Sequence, residues 1–316
     1  MNRRKFIKHG ALVTVGSLLI PLGLFTDSES FGRSEALKPN AKPHPEEWSD
    51  DEINIAWIGH ATLLINFYGK IILTDPTFFE GVGLYVGGFI LGPRRATLPA
   101  LTIDEIPQPD IVLISHAHMD HMDYKTLKDF TEKYPGKLDC ITAFNTKDVI
   151  DDLQWKSLRE MDWLEELNLN GVKLKALEVK HRGARYPGEK DRVNGFVKDG
   201  RSYNAYILER NRKKILFGGD TTFMDKFKLH KSKSVDIAIM PIGGYNPMRS
   251  QHCTPEEALV MAEYHLGAKY FIPMHCKTFD SGKDLYEPLE WMKRSEKHYS
   301  MKIGLRDIGE TFTLKS

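Results

Sequence analysis

Cysteine is scarce in this chain. There are three in 316 residues, Cys140, Cys253 and Cys276, at unrelated spacings and with no C-x-x-C pair. An odd number so placed is not a disulfide framework and offers no thiolate cage for zinc. An excess of charge of one sign is missing too: 44 Lys and Arg against 43 Asp and Glu leave a formal charge of +1. No global field therefore draws the chain to nucleic acid, and none is expected as a partner. No apolar run reaches the roughly 20 residues that a spanning helix prefers. Internal repeats and low-complexity tracts are also lacking, which excludes solenoids and disordered arrays. What remains is an ordinary globular composition, 41% hydrophobic and 28% charged, long enough for a substantial core.

The densest chemistry lies in Ser115-His116-Ala117-His118-Met119-Asp120-His121-Met122-Asp123, with three histidines and a carboxylate within six residues. It follows the short β-branched run 110–114, preceded by Pro107 and Pro109, which predicts a buried strand. The cluster thus sits where a strand ends and a loop begins, the place where open α/β sheets bind ligands. Imidazole nitrogens and carboxylate oxygens are the donors for zinc and similar divalent metals. His116 and His118, two apart, point to one side of an extended backbone. Asp120 and His121 follow where a turning chain aims them at a second metal. The bland alternative is a solvated histidine-rich turn, and four donors at this spacing argue against it.

Around the cluster, short strands are predicted at 53–58, 62–67 and 70–74, punctuated by Gly59-His60 and Tyr68-Gly69 and closed by Asp75-Pro76. His60 reads equally as a structural hydrogen-bonder and as a site residue. Asp75 reads as a turn residue or as a carboxylate that orients a ligand histidine. Residues 77–95 lack either period: eight apolar side chains are interleaved with five glycines between Gly81 and Gly92. That stretch is either an apolar loop over the site, offering Phe78, Phe79 and Tyr85 to a greasy substrate or a bilayer, or a glycine-rich connection packed on the core. The pair Arg94-Arg95 reads as solvated. Further on, helices are predicted at 125–134, 148–163 and 255–266. Strands are predicted at 137–142, 171–180, 203–208, 213–217, 236–242 and 269–273, with a closing strand pair within 302–314. His181, Asp220 and His275 each stand just past a strand end. One such residue is commonly a cap. Together with the central cluster they make seven donors on four strand ends, about what two metals and a bridging carboxylate need.

The start of the chain has a different character. Asn2-Arg3-Arg4-Lys5-Phe6-Ile7-Lys8 precedes an apolar stretch from about Ala11 to Phe25. A basic start, a moderate apolar run and a polar follow-on describe an export signal. Arg3-Arg4 with Phe6 and Lys8 resembles a twin-arginine signal, read by the machinery that exports folded proteins. Export after folding suits a metalloprotein that lacks disulfides. Three segments are expected: a signal or anchor at 1–36, a proline-containing linker or arm at 37–52, and one large domain at 53–316. The place expected for the protein is periplasmic or extracytoplasmic, with membrane tethering if the signal stays.

These residues carry a resemblance. His116-x-His118-x-Asp120-His121 resembles the signature of the metallo-β-lactamase superfamily. Gly59-His60-Ala61-Thr62, Thr74-Asp75-Pro76, Gly92-Pro93-Arg94-Arg95, Gly219-Asp220-Thr221, Pro241-Ile242-Gly243, Gln251-His252 and Pro255-Glu256-Glu257-Ala258 look like the N-acyl-phosphatidylethanolamine-hydrolysing phospholipase D group. The ascorbate-phosphate lactonase-like proteins are similar cousins. The resemblance implies an α/β fold, the four-layer αβ/βα sandwich, with metals at one edge between two sheets. It implies that His116, His118 and His181 hold one metal, that Asp120, His121 and His275 hold the other, and that Asp220 bridges them. His252 matches a non-ligand histidine lining that group's site, and Arg185 lies near its basic residue, so both are expected at the substrate. Cys276-Lys277 stands where tryptophan and glycine are usual, and His181-Arg182-Gly183 lacks the usual aromatic neighbour. Both departures flank the site and bear on the lipid more than on the chemistry.

The expected function is a binuclear metal-dependent hydrolase, with zinc as the default and manganese or iron accepting the same donors. Water between two metals ionises near neutral pH. Attack on phosphorus would make the protein a phosphodiesterase of phospholipase D type, acting on a small-molecule or lipid diester. Attack on carbonyl carbon would make it a lactonase or another ester or amide hydrolase. Asp120 and His252 are the residues expected in the reaction itself, with His252 donating to the leaving group or orienting a substrate oxygen. A non-catalytic exported metal-binding protein is the third reading. A structural metal is enclosed by four ligands, whereas this set leaves room for solvent.

Overall fold

The first strands form where β-branched and apolar runs are broken by turns that accept a positive φ. Strands β1 (Ile53–Gly59) and β2 (Thr62–Phe67) meet across His60 (φ 52°), and β2 and β3 (Ile71–Thr74) across Tyr68-Gly69 (φ 53° and 76°). All of β1 is buried, and its alternate side chains enter two different cores: Ile55 and Trp57 one, Ala56 and Ile58 the other. A strand coated on both faces requires a layer on each side.

In this computed structural model the described residues are 35–86, 89–192, 200–228, 234–280 and 284–315, with 36–316 forming one compact unit. A small hairpin, β4 (Leu84–Val86) with β5 (Phe89–Leu91), precedes β6 (Ile111–Leu113), β7 (Asp139–Ala143) and β8 (Ser157–Met161). Then come β9 (Glu166–Leu169), β10 (Val172–Glu178), β11 (Asn204–Arg210), β12 (Lys213–Phe217), β13 (Ile237–Pro241) and β14 (Tyr270–Met274), with β15 (Lys302–Ile303) and β16 (Thr311–Leu314) at the end. Two seven-stranded sheets result, ordered β16-β1-β2-β3-β6-β7-β8 and β15-β14-β13-β12-β11-β10-β9. Each has an antiparallel half, β16 to β3 and β9 to β12, followed by a parallel half.

Parallel neighbours need crossovers, and these carry the helices. They are α1 (Tyr124–Lys133), the short turn α2 (Tyr245–Met248), α3 (Pro255–Val260), which continues as a π turn through His265, and α4 (Glu287–Ser295). Helix α1 is capped by Asp123, whose carboxylate accepts from the Thr126 amide, and it buries Leu127 and Phe130 on the outer face of the first sheet. Helix α3 opens with a capping box of Thr254 and Glu257 and with Pro255 in the first turn. The larger core fills the space between the sheets, where Trp57, Leu63 and Ile65 meet Leu174, Tyr206 and Phe217. This is the α/β sandwich of two mixed sheets flanked by helices.

Several local expectations change. Residues 148–163 are not a helix: a 3-10 turn (Lys147–Val149) leads to the edge strand β8, which pairs in parallel with β7. Non-local pairing overrides helix propensity here, and Glu160 fixes the turn by accepting from the Thr146 and Lys147 amides. The closing segments do not pair with each other: β15 joins the second sheet and β16 the first. Arg95 is buried, and it donates to the carbonyls of Phe79, Thr97 and Thr77. Burial brings its pKa down to about 10, against the opposing charge of Asp123. Residues 37–52 lie along the domain, with Leu37 exchanging backbone hydrogen bonds with Ala96 (2.7 Å) and Leu98 (2.8 Å). Of the signal or anchor segment expected at 1–36, residues 1–34 fall outside the described residues, and no described helix is long and apolar enough to cross a membrane.

Candidate metal centre

Five strands from the two sheets bring donors to one place from their C-terminal ends: β1 with His60, β6 with His116, β10 with His181, β12 with Asp220 and β14 with His275. After β6 the chain makes a single turn, in which the His121 and Met122 amides donate to the His118 carbonyl (3.1 and 2.8 Å). That turn sends His118 to one half of the site and Asp120 and His121 to the other.

In the first half the imidazole nitrogens of His116, His118 and His181 converge: His118 Nδ1 lies 2.9 Å from His116 Nε2 and 3.3 Å from His181 Nε2. In the second half, Asp120 Oδ2 lies 3.0 Å from His60 Nε2, 3.5 Å from His275 Nε2 and 3.6 Å from His121 Nε2. Asp220 Oδ2 faces both halves. It is 3.0 Å from His275 Nε2, 3.1 Å from His121 Nε2 and 3.7 Å from both His181 Nε2 and His252 Nδ1. Each half offers donor atoms within 4.8 Å of one another.

Behind these donors a second layer sets ring orientation. The buried Asp75 carboxylate meets His121 Nδ1 at 2.6 Å and accepts from the Ser115 amide (2.7 Å) and hydroxyl (2.6 Å). The same hydroxyl lies 2.9 Å from His116 Nδ1, and His181 Nδ1 donates to the Gln251 carbonyl at 3.0 Å. Binding one ring nitrogen to an oxygen leaves the other with its lone pair toward the centre, as a ligand histidine requires. His60 works twice, because its carbonyl also accepts from the His275 amide at 2.9 Å. Gly219 (φ 54°) lets the chain turn into Asp220: a Cβ there would sit 2.6 Å from the Asn204 carbonyl oxygen.

The donors fit divalent metal. His121 Nε2, both ring nitrogens of His275, His252 Nδ1 and Asp220 Oδ1 are buried without a well-formed hydrogen bond, a costly arrangement unless something else satisfies them. Charge leads to the same place. Burial would raise Asp120 and Asp220, yet the surrounding imidazoles, His121 foremost, hold both well below the usual carboxylate range. Against the burial that would lower it, Asp220 and Asp120 hold His275 up at about 9. Burial pushes His60 down to about 3 and His252 to about 4. The buried Asp220 and the half-buried Asp120 thus call for positive charge, which divalent ions supply.

Residues 70–276 match the family model described as the beta-lactamase superfamily domain. The chain belongs to the metallo-β-lactamase superfamily. Within it, the chain is 27% identical over 262 residues to N-acyl-phosphatidylethanolamine-hydrolyzing phospholipase D 1 of Caenorhabditis elegans, covering 78% of this chain and 70% of the relative. It is 29% identical to the mitochondrial N-acyl-phosphatidylethanolamine-hydrolyzing phospholipase D of Saccharomyces cerevisiae over 74% of this chain, but spans only 50% of that relative. A metal-dependent hydrolase of Methanoculleus marisnigri matches at 26% over 82% of this chain and 96% of its own length. Among solved structures, a metallo hydrolase of Ignicoccus hospitalis shares the fold at TM-score 0.60 and 17% identity, covering 84% of this chain and 99% of that one. The chain is a metal-dependent hydrolase of this superfamily.

A cavity of about 680 Å³ opens onto the second half of the site. His60, Asp120 and His275 form its floor, and Val82, Pro93, Met119, Tyr245, Pro247 and Phe279 stand in its walls. Several residues expected at the substrate lie elsewhere. Phe78 packs on Phe130 of α1 (5.5 Å between rings), and Phe79 lies under the Lys125 ammonium (3.7 Å), so both serve the outer face of the first sheet. Arg185 donates to backbone carbonyls, and the side chain of Tyr85 is outside the described residues. His252 is buried beside Asp220 and His181 rather than on the cavity wall. Cys253 and Cys276 are free and buried. His60, undecided from the sequence, was marked by its turn position beside a glycine and by the Gly59-His60-Ala61-Thr62 motif.

Proposed function

We propose that this hydrolase is a phosphodiesterase of phospholipase D type acting on a diester with a long apolar arm. The observation that carries this reading is the cavity that runs from apolar walls to a floor of His60, Asp120 and His275. Pockets of this kind hold a ligand by apolar burial and orient it with a few polar groups. Similarity to the worm and yeast phospholipases supports the same substrate class. Divalent metals at such a site acidify water and stabilise negative charge developing on a phosphoryl oxygen.

The protein's own part is to hold the donors. Asp75 and Ser115 fix His121 and His116, while Gln251 fixes His181. Asp220 spans both halves, and His252 beside it is placed to exchange a proton with a leaving group that reaches this depth. The twin-arginine-like segment at its start supports export of the folded, metal-loaded protein.

The test is product release by the metal-replete protein from an N-acylated phosphatidylethanolamine and from a simple chromogenic diester, with Asp120→Ala as control. Turnover lost in the variant is expected, with the lipid preferred. No turnover of either diester by protein with two bound metals would overturn the reading. Lactones, esters and amides would then be the substrates to examine.

A further inference from the structure

We infer that Arg185 is a positioning residue for the metal centre, a clamp that locks the loop bearing His118, Asp120 and His121 to the loop bearing His181. Its Nη1 donates to two carbonyls, Ala117 and Met122, each at 2.8 Å. Those carbonyls stand at the two ends of the single turn that closes on the His118 carbonyl. One guanidinium nitrogen therefore fixes the width of the turn that splits its ligands between the two halves. Ala117 precedes His118, and Met122 follows His121, so a shift of either carbonyl moves a ligand directly.

The arm that carries the clamp is itself braced. Arg185 lies four residues after His181, in a segment whose amides are gathered by two carboxylates. Asp191 accepts from the Gly183 and Ala184 amides (2.7 and 2.6 Å), and Glu189 accepts from those of Arg185 and Tyr186 (2.8 and 3.2 Å). Glu189 is held in turn by Arg201, which also forks onto Asp148. A Cβ on Gly183 would sit 2.2 Å from the Arg201 carbonyl oxygen, so the segment packs there without a side chain. The whole assembly presents Arg185 to the far loop at a fixed distance from His181. A planar guanidinium with several rigid donors suits the joining of two carbonyls. Groups that orient metal ligands commonly change metal affinity about 10–100-fold when removed.

This inference rests on the metal-site reading and not on the identity of the substrate. The experiment is a competition of Zn²⁺ between the protein and a chromogenic chelator, with Co²⁺ absorption spectra recorded alongside, for wild type, Arg185→Ala and, as an exposed arginine on α4, Arg294→Ala. Wild type should take up two ions, Arg294→Ala should match it, and Arg185→Ala should bind about 10–100-fold more weakly, with an altered Co²⁺ spectrum. Methylguanidinium added to Arg185→Ala should restore affinity, which general loss of structure would not allow. Wild type that takes up no metal would overturn the metal-site reading itself. Wild type with two ions and Arg185→Ala of equal affinity would overturn the clamp alone. An Arg185 that contacts substrate would instead change KM with metal binding intact, which also sinks the proposal. If Arg185→Ala does not fold, Arg185→Gln, which keeps a single amide donor group, decides by the same titration.

Discussion

Replacing Asp75 by asparagine should weaken metal binding in the second half of the site without touching a ligand. The carboxylate is fully buried and makes three short contacts: the Ser115 amide at 2.7 Å, the Ser115 hydroxyl at 2.6 Å and His121 Nδ1 at 2.6 Å. Asparagine keeps the shape but has one acceptor oxygen, so its amide group must face a donor. The Ser115 backbone cannot rotate away, and the hydroxyl can reverse its role, so the conflict falls on His121 Nδ1. A hydrogen bond to a charged group contributes about 1.5–3 kcal/mol net. At 1.4 kcal/mol per tenfold that is about 10–100-fold in affinity at His121. The assay is chelator competition with metal counted by elemental analysis. One ion should be held as in wild type, by His116, His118 and His181, and the other released at lower chelator concentration. Equal affinity for both ions in wild type and Asp75→Asn would refute the reasoning, because it would mean that His121 needs no partner behind it.

Two further substitutions test the frame around the site. Gly219→Ala combines a left-handed φ with a Cβ 2.6 Å from the Asn204 carbonyl oxygen and 2.8 Å from the Ser115 Cβ, so it should cost about 2–5 kcal/mol in denaturant unfolding. Gly136→Ala, also left-handed but with nothing within 4 Å, should cost only about 1–2 kcal/mol, and equal costs would show that the close approach does not matter. The Glu189 carboxyl has its ordinary value of 4.5 lowered: burial would raise it, but Arg201 and the two amides outweigh burial. A depressed folded value means that its stabilisation is fully present above about 4.5 and drains as pH falls through the lower value. The melting temperature of wild type minus that of Glu189→Gln should therefore shrink as pH drops from about 6 to about 3, and a constant difference would refute the pairing.

Much of the site was legible because ligand residues at strand ends leave a dense local mark, as in residues 115–123. His181, Asp220 and His275 could be found one at a time, each after an apolar run, although nothing local says that the four strand ends meet. The strands were readable for the same reason: β-branched runs between glycine and asparagine turns need no tertiary information. Where the reading failed, distance in sequence was the cause. Residues 157–161 become a strand only because β7 offers an edge, and β15 and β16 are divided between two sheets by partners far away. Phe78 and Phe79 looked like lining because they are apolar in a glycine-rich stretch, and the position of α1 decided otherwise. Arg95 and Arg185 looked like surface or substrate cations. Both donate to backbone carbonyls that no sequence pattern announces.

The division of donors between the sheets has a thermodynamic consequence. His116, His118, Asp120 and His121 follow β6 of the first sheet, whereas His181, Asp220 and His275 follow β10, β12 and β14 of the second. Metal held by these donors would tie the two sheets together at this edge, and an unfolded chain cannot reproduce seven converging donors. Each ion that binds only the folded state adds RT ln(1 + [L]/Kd), about 4 kcal/mol at a thousandfold excess over Kd. At roughly 2–4 °C per kcal/mol for domains of about this size, removing one ion should lower the melting temperature by about 8–16 °C, and removing both by about twice that. The chelated protein should stay folded at room temperature, because protons on His275 and His121 then face Asp120 and Asp220. Asp220→Asn, which weakens the group shared by both halves, should melt at nearly the same temperature with and without metal. A wild type whose melting temperature ignores saturating metal would mean that the two sheets are not joined through these side chains. No substrate enters this measurement, so it judges the centre whatever the substrate turns out to be.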